Sequence, residues 1–142
     1  MKRAAFSLIE LIFVIIILGI LSAVVSVKMS GMTDQARVSK LKSFVGTLNR
    51  SVGPAIWFNS LNDSRNGSVK FADYESNIEN YTQIIPDYTG SLSLTNCNDA
   101  GNGIFLSYEY SKSYEIHCKD GISTTSPKFR LYNSTDALYI ED

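Results

Sequence analysis

The first block of the chain is apolar on every face. Between Phe6 and Val27 the one charged residue is Glu10, and "LIFVIIILGILSAVVSV" (Leu11 to Val27) holds 17 residues with no charge. Counted from Phe6 the run is 22 residues, about 33 Å as a helix, long enough for a bilayer. The pattern then changes. Val38, Leu41, Val45, Leu48 and Val52 recur at intervals of 3 and 4, an apolar stripe on a helix whose other faces carry Ser39, Lys40, Lys42, Ser43 and Asn49. Such a stripe needs a cover, and a sheet folded onto it is the simplest one. Gly53-Pro54 interrupts the stripe, so a kink or restart is expected there. "PAIWFNSL" is then the last helical piece, with Trp57 and Phe58 as packing residues, and "NDSRNG" is a polar turn.

Residues 62–103 are rich in Asn, Ser, Asp and Gly and weakly patterned. Asp73 is a candidate cap for a short helix reaching Tyr81. Strand signals gather after Gly103. "IFLSYEY" and "YEIHC" flank "SKS", and "KFRLY" and "ALYI" flank "NSTD", which reads as two hairpins. Ile104, Leu106, Tyr108 and Tyr110 alternate with Phe105, Ser107 and Glu109, so the former set is expected on one face. The expected class is α+β: a long N-terminal helix, apolar in its first half and amphipathic in its second, packed on a small antiparallel sheet of about four strands.

Charge sharpens this picture. Lys28 to Arg50 carries five bases against one acid, while Asp63 to Asp142 carries six bases against twelve acids, a net of −6. An acidic outer part argues against direct nucleic-acid binding through it. His117 is the one histidine and no CxxC occurs, so a Cys/His zinc site lacks ligands. In an exported chain Cys97 and Cys118 are expected to form a disulfide. It would close a loop of about 22 residues, worth roughly 3 kcal/mol in the chain-entropy view; the alternative is two unpaired thiols. In "NCNDAGNG", Asn98, Asp99 and Asn102, with Asp120 as a further candidate, offer oxygen ligands suited to calcium. Turn chemistry accounts for the same residues, and with one carboxylate and no EF-hand spacing no cofactor is expected. There is no phosphate loop, GxSxG or HExxH, and His117, on an alternating strand, reads as packed or solvated. The chain is expected not to be an enzyme.

Glu10 remains to be explained. A charge at the centre of a membrane helix costs roughly 2.5–3.5 kcal/mol on insertion scales. A cleaved secretory signal is a rival reading. Against it stand the length of the apolar run, the acid at its entrance, and the lack of an A-x-A pattern at Ser22, Ala23 and Ser26. Lys2 and Arg3 would keep the N-terminus cytoplasmic.

"KRAAFSLIELIFVIIILGILSAV" resembles the N-terminus of type IV pilins and of the pseudopilins of type II secretion and DNA-uptake machines. The resemblance covers about residues 2 to 27. It rests on a short basic leader ending in Ala5, then Phe6, the Ser-Leu-Ile-Glu-Leu string, and Gly19 where these helices usually carry glycine. It implies that prepilin peptidase cuts between Ala5 and Phe6 and N-methylates Phe6. The helix is then kept, first as an inner-membrane anchor and then in the core of a helical filament. Residues 1–5 would be the leader, 6–27 the membrane and filament-core half of the helix, 28–61 its amphipathic periplasmic half, and 62–142 a variable loop and the sheet. In the family the acid at the Glu10 position pairs with the new N-terminal amine of a neighbouring subunit. Two opposite charges at about 4 Å attract by roughly 4 kcal/mol at an effective dielectric near 20. The implied partners are copies of the chain, other pilin-like subunits, prepilin peptidase and an inner-membrane assembly platform. Major pseudopilins carry calcium in the sheet loops, and many pilins have a cysteine-bounded region like Cys97–Cys118. Two positions differ from the family: glycine is commoner where this chain has Ala5, and proline often stands where it has Val27. The short middle segment and the early end after the sheet favour a pseudopilin over a pilin of a surface fibre. A membrane-anchored periplasmic binding domain and an exported enzyme are the readings from other classes.

Overall fold

The computed structural model describes residues 7–82 and 84–140, with all of their side chains except those of residues 24–31. The chain divides into two compact units, Met1–Arg37 and Val38–Asp142. Helix α1 runs Leu8–Thr47. In the first unit it begins at Ser7, whose carbonyl accepts from the amides of Glu10 and Leu11 at 3.0 and 3.3 Å.

In the second unit α1 continues into a single π turn, Leu48–Val52, and then α2, Gly53–Asn62. The expected kink or restart at Gly53-Pro54 takes the form of a restart through a change of hydrogen-bond register: the Gly53 amide donates to the Leu48 carbonyl, five residues back, and α2 begins there. Proline lacks an N–H and its ring crowds the carbonyl four residues earlier. The wider turn just before Pro54 absorbs that mismatch, and Pro54 then occupies the first turn of α2, where its missing donor is harmless. Leu41, Val45, Leu48 and Val52 are buried as the stripe requires, Val38 is partly buried, and Phe44 joins them. Phe58, expected to pack, is 59 % exposed. Ile56 and Ser60 hold the inner face of α2 instead. Trp57 does anchor, donating from Nε1 to the Ile122 carbonyl at 2.7 Å.

The connection holds a short helix α3, Ala72–Ser76, and a 3₁₀ turn, Ile78–Asn80. Asp73 does not cap α3. Phe71 occupies that position with no side-chain cap, because Asp73 is held by Arg65 through two contacts of 2.8 Å. That guanidinium also lies over the Phe71 and Tyr74 rings at 4.2 and 4.9 Å and draws the Asp73 carboxyl below its usual range. Tyr74 donates to Asp63 at 2.6 Å; burial first, and that bond second, push its hydroxyl up to about 12.

The sheet is four-stranded, antiparallel and ordered as in sequence: β1 Gly103–Glu109, β2 Ser113–Lys119, β3 Lys128–Asn133 and β4 Leu138–Ile140. The fold is α+β. The simple alternation expected for β1 fails at its start. A bulge between Ile104 and Leu106 turns both Phe105 and Leu106 inward and leaves Ile104 outside, since a bulge shifts the two-residue period by one. Gly103 has no room for a side chain, because a Cβ would run into the Asn96 backbone.

Helix and sheet are joined by more than apolar contact. Asn49, in the π turn, accepts from the Phe129 amide at 2.9 Å and donates to its carbonyl at 2.8 Å. Strand β4 pairs with β3 only from Leu131 to Asn133, so the Asn49 amide serves the edge groups that β4 does not reach. Asp120 ties the connection to the end of β2. Its carboxylate accepts from the Val69 and Gly121 amides and the Ser68 hydroxyl at 2.8, 2.9 and 2.8 Å, with Lys70 Nζ at 3.4 Å. By contrast the Tyr108 hydroxyl is buried with no hydrogen-bond partner, and burial raises its pKa.

These two residues should respond oppositely to truncation. Asp120→Ala leaves buried donors unmet and is expected to lower stability by about 2–3 kcal/mol. Tyr108→Phe removes the unmet hydroxyl and is expected to be neutral or stabilising by up to about 1 kcal/mol. Denaturant unfolding of the detergent-solubilised full chain measures both, and a loss above about 1 kcal/mol for Tyr108→Phe would show that its hydroxyl has a partner.

Candidate assembly site

Glu10 sits in the first turn of α1, where a carboxylate meets the positive end of the helix dipole. What surrounds it is unusual for a folded unit. Twelve large apolar residues from Leu8 to Leu21 are exposed, from 41 % at Ile12 to 78 % at Leu8. They lie on all sides of the helix, so no single face can be turned to a core. Gly19 lies among them, and a Cβ there would meet nothing within 4 Å. A glycine in mid-helix costs about 1 kcal/mol relative to alanine, and no packing among the described residues requires this one. Among the described residues no helix is long and apolar enough to cross a membrane; the described apolar side chains end at Ala23, about 24 Å of helix from Leu8. Lys2, Arg3, Ala5 and Phe6 lie outside the described residues, as does the side chain of Val27.

Cys97 and Cys118 are joined, with Cα atoms 4.9 Å apart, and staple the loop before β1 to the end of β2. In that loop Asn98 Oδ1 accepts from the Gly101 and Asn102 amides at 2.8 and 3.2 Å. Its Nδ2 donates to Asn102 Oδ1 at 2.7 Å. The oxygens of Asn98 and Asn102 therefore close a turn, Asp99 is exposed, and Asp120 is engaged elsewhere. Among the described residues no three His, Cys, Asp or Glu side chains form a metal-binding group.

His117 is packed on the outer face of the sheet. Its ring stacks on Tyr132 at 4.6 Å, Nε2 lies 2.8 Å from Glu115 and Nδ1 3.0 Å from the Tyr139 hydroxyl. Both nitrogens are taken by side chains of the sheet, so the group joins β2 to β4. The Glu115-x-His117 spacing, one face of a strand, was the sequence signal for half of this cluster. Nothing local signalled Tyr139, Asn49 or the role of Asp120, whose partners are distant in sequence.

Residues 1–26 match the family model described as the prokaryotic N-terminal methylation motif, the signature of type IV pilins and pseudopilins. The helix-plus-sheet α+β arrangement is consistent with a pilin-like fold. The motif implies processing by prepilin peptidase and assembly with other pilin subunits, and it points to a structural subunit. Comparison with curated proteins and with solved structures gives no match.

The turn geometry around Asn98 has a direct consequence for calcium. Millimolar calcium or a chelator is expected to leave the melting temperature of the protein unchanged, as scanning calorimetry would record. A calcium-dependent rise of more than about 2 °C would mean that the loop reorganises around the ion.

Proposed function

We propose that the chain is a structural subunit of a type IV pilus-like filament, a pseudopilin of a type II secretion or DNA-uptake machine. The observation that carries this reading is the uncovered α1 headed by Glu10: an all-round apolar helix needs lipid before assembly and other helices after it. In this reading residues 1–5 are a leader cut between Ala5 and Phe6, and the new Phe6 amine is methylated. The span crosses the inner membrane once with its N-terminus cytoplasmic, and the disulfide-bearing unit lies in the periplasm, an oxidising compartment. Glu10 sits one turn beyond that amine and pairs with the amine of a neighbouring copy, which offsets its desolvation and sets axial register. Gly19 then allows close approach of another helix. The compact connection of residues 62–102 favours a pseudopilin over a surface-fibre pilin.

Two measurements test this. Intact mass and N-terminal sequencing of the protein recovered from membranes should give a chain starting at methylated Phe6. A start at Met1, or beyond Ser22, overturns the reading. Glu10→Ala should leave membrane insertion and the melting of the Val38–Asp142 unit unchanged, and should reduce filament assembly or Phe6 methylation at least tenfold. Normal filaments from Glu10→Ala would remove the pairing role.

A further inference from the structure

We propose that copies of this chain dock head to tail through two clefts of opposite charge on the Val38–Asp142 unit, a contact that rests on the filament reading above. The first cleft, about 470 Å³, lies beside β3 and β4 and is lined by Lys42, Lys128 and Arg130 with Asn49 and Tyr139, and by no carboxylate among the described residues. Lys128 is placed against electrostatic preference. Lys128 stands directly opposite Lys119 in the β2–β3 register, and like charges facing across strands destabilise a sheet. Among the described residues neither ammonium has a hydrogen-bond or ion-pair partner. Arg130 is held in place by the Gly101 carbonyl at 3.2 Å and by the Tyr139 ring at 4.1 Å.

The second cleft has the same volume, about 470 Å³, and the opposite sign. Glu75 and Glu79 line it with Tyr88 and Leu92, and no base among the described residues does. Glu75 is committed to the Leu94 amide at 2.9 Å; Glu79 is exposed and has no partner among the described residues. This cleft adjoins the segment that pairs with β1 through Thr89 and Ser93, whereas the basic cleft adjoins β4. With the sheet ordered β1-β2-β3-β4, the two clefts lie off opposite edges.

The basic cleft takes a carboxylate surface, and a second copy supplies one. An anionic polymer is disfavoured, because the Asp63–Asp142 part carries a net −6 and would repel it. A contact that joins two different surfaces is heterologous, so it repeats from copy to copy and builds a filament wherever its rotation does not close a ring. Oriented charges of this kind fix register and suppress wrong partners more than they add affinity.

The test uses full-length protein assembled in membranes from a mixture of isotopically light and heavy copies, treated with a carbodiimide and digested. Mass spectrometry should recover light–heavy peptides joining Lys128 or Lys42 to Glu79. Lys128→Glu should cut the remaining Lys42–Glu79 link roughly tenfold, and the chain carrying both Lys128→Glu and Glu79→Lys should regain a link between positions 128 and 79. Raised salt should weaken it in all cases. Copy-to-copy links that join other sites, a Lys128→Glu reversal without effect, or a double reversal that fails to regain the link each overturn this contact and leave the filament reading standing. Binding of nucleic acid by the basic cleft in place of copy-to-copy links also overturns it. No copy-to-copy links of any kind from the wild-type chain, with Glu10 intact, overturns the filament reading and the contact with it.

Discussion

Twelve large apolar side chains turned outward around one helical segment set the terms for the rest of the molecule. At roughly 1.5–3 kcal/mol for each such side chain moved from water to an apolar surrounding, the segment amounts to something of order 20 kcal/mol of unmet burial. The downstream part of the same helix must instead satisfy a local core, and there the apolar positions narrow to one stripe with Leu41, Leu48 and Val52 fully enclosed. The change from all-round apolarity to a stripe is therefore a change of covering. The stripe is answered by the chain's own sheet, and the earlier segment has no cover among the described residues.

The sheet that answers the stripe has short and partly covered edges. On one side the Thr89 and Ser93 amides bond the Ser107 and Phe105 carbonyls of β1 at 2.8 and 3.0 Å. On the other, β4 covers three residues of β3 and the Asn49 side chain covers Phe129. Unpaired strand edges invite uncontrolled pairing between chains, and short or covered edges prevent it. Such edges disfavour strand addition and leave side-chain surfaces for contact between copies of this unit.

How much of this could be read in advance follows the range of each interaction. The apolar run, the stripe and the two hairpins are patterns within a few residues, and their elements lie where the periodicity puts them. Register within an element was less legible. The bulge that sends Ile104 out and Phe105 in leaves no mark in an alternating string, and Phe58 looked like a packing residue because apolar character alone does not say which face of α2 meets the sheet. The π turn was half legible: Pro54 announced a disturbance, but a kink and a one-residue widening answer the same missing N–H. Least legible were the polar ties. Asn49 to Phe129 spans 80 residues and Asp120 to Val69 spans 51, and neither partner is special in its local sequence. Glu10 was legible for the opposite reason, since its oddity is entirely local.

The two halves of the molecule would contribute different things to an assembly. Inside a bilayer the lipid is as apolar as a leucine, so helices gain nothing by leaving it for one another except packing and polar pairing. In the proposed filament reading, Glu10 and Gly19 would be the groups that distinguish a neighbour from lipid. Once a copy leaves the membrane the balance reverses, because the whole apolar segment must be covered at the same moment or meet water. In that reading extraction and packing would be one coupled step, and a copy without neighbours would stay in the membrane. Exposed ion pairs between the outer units, at about 0.2–1 kcal/mol each, are too weak to drive that step. They are of the right size to decide which orientation of an arriving copy is kept.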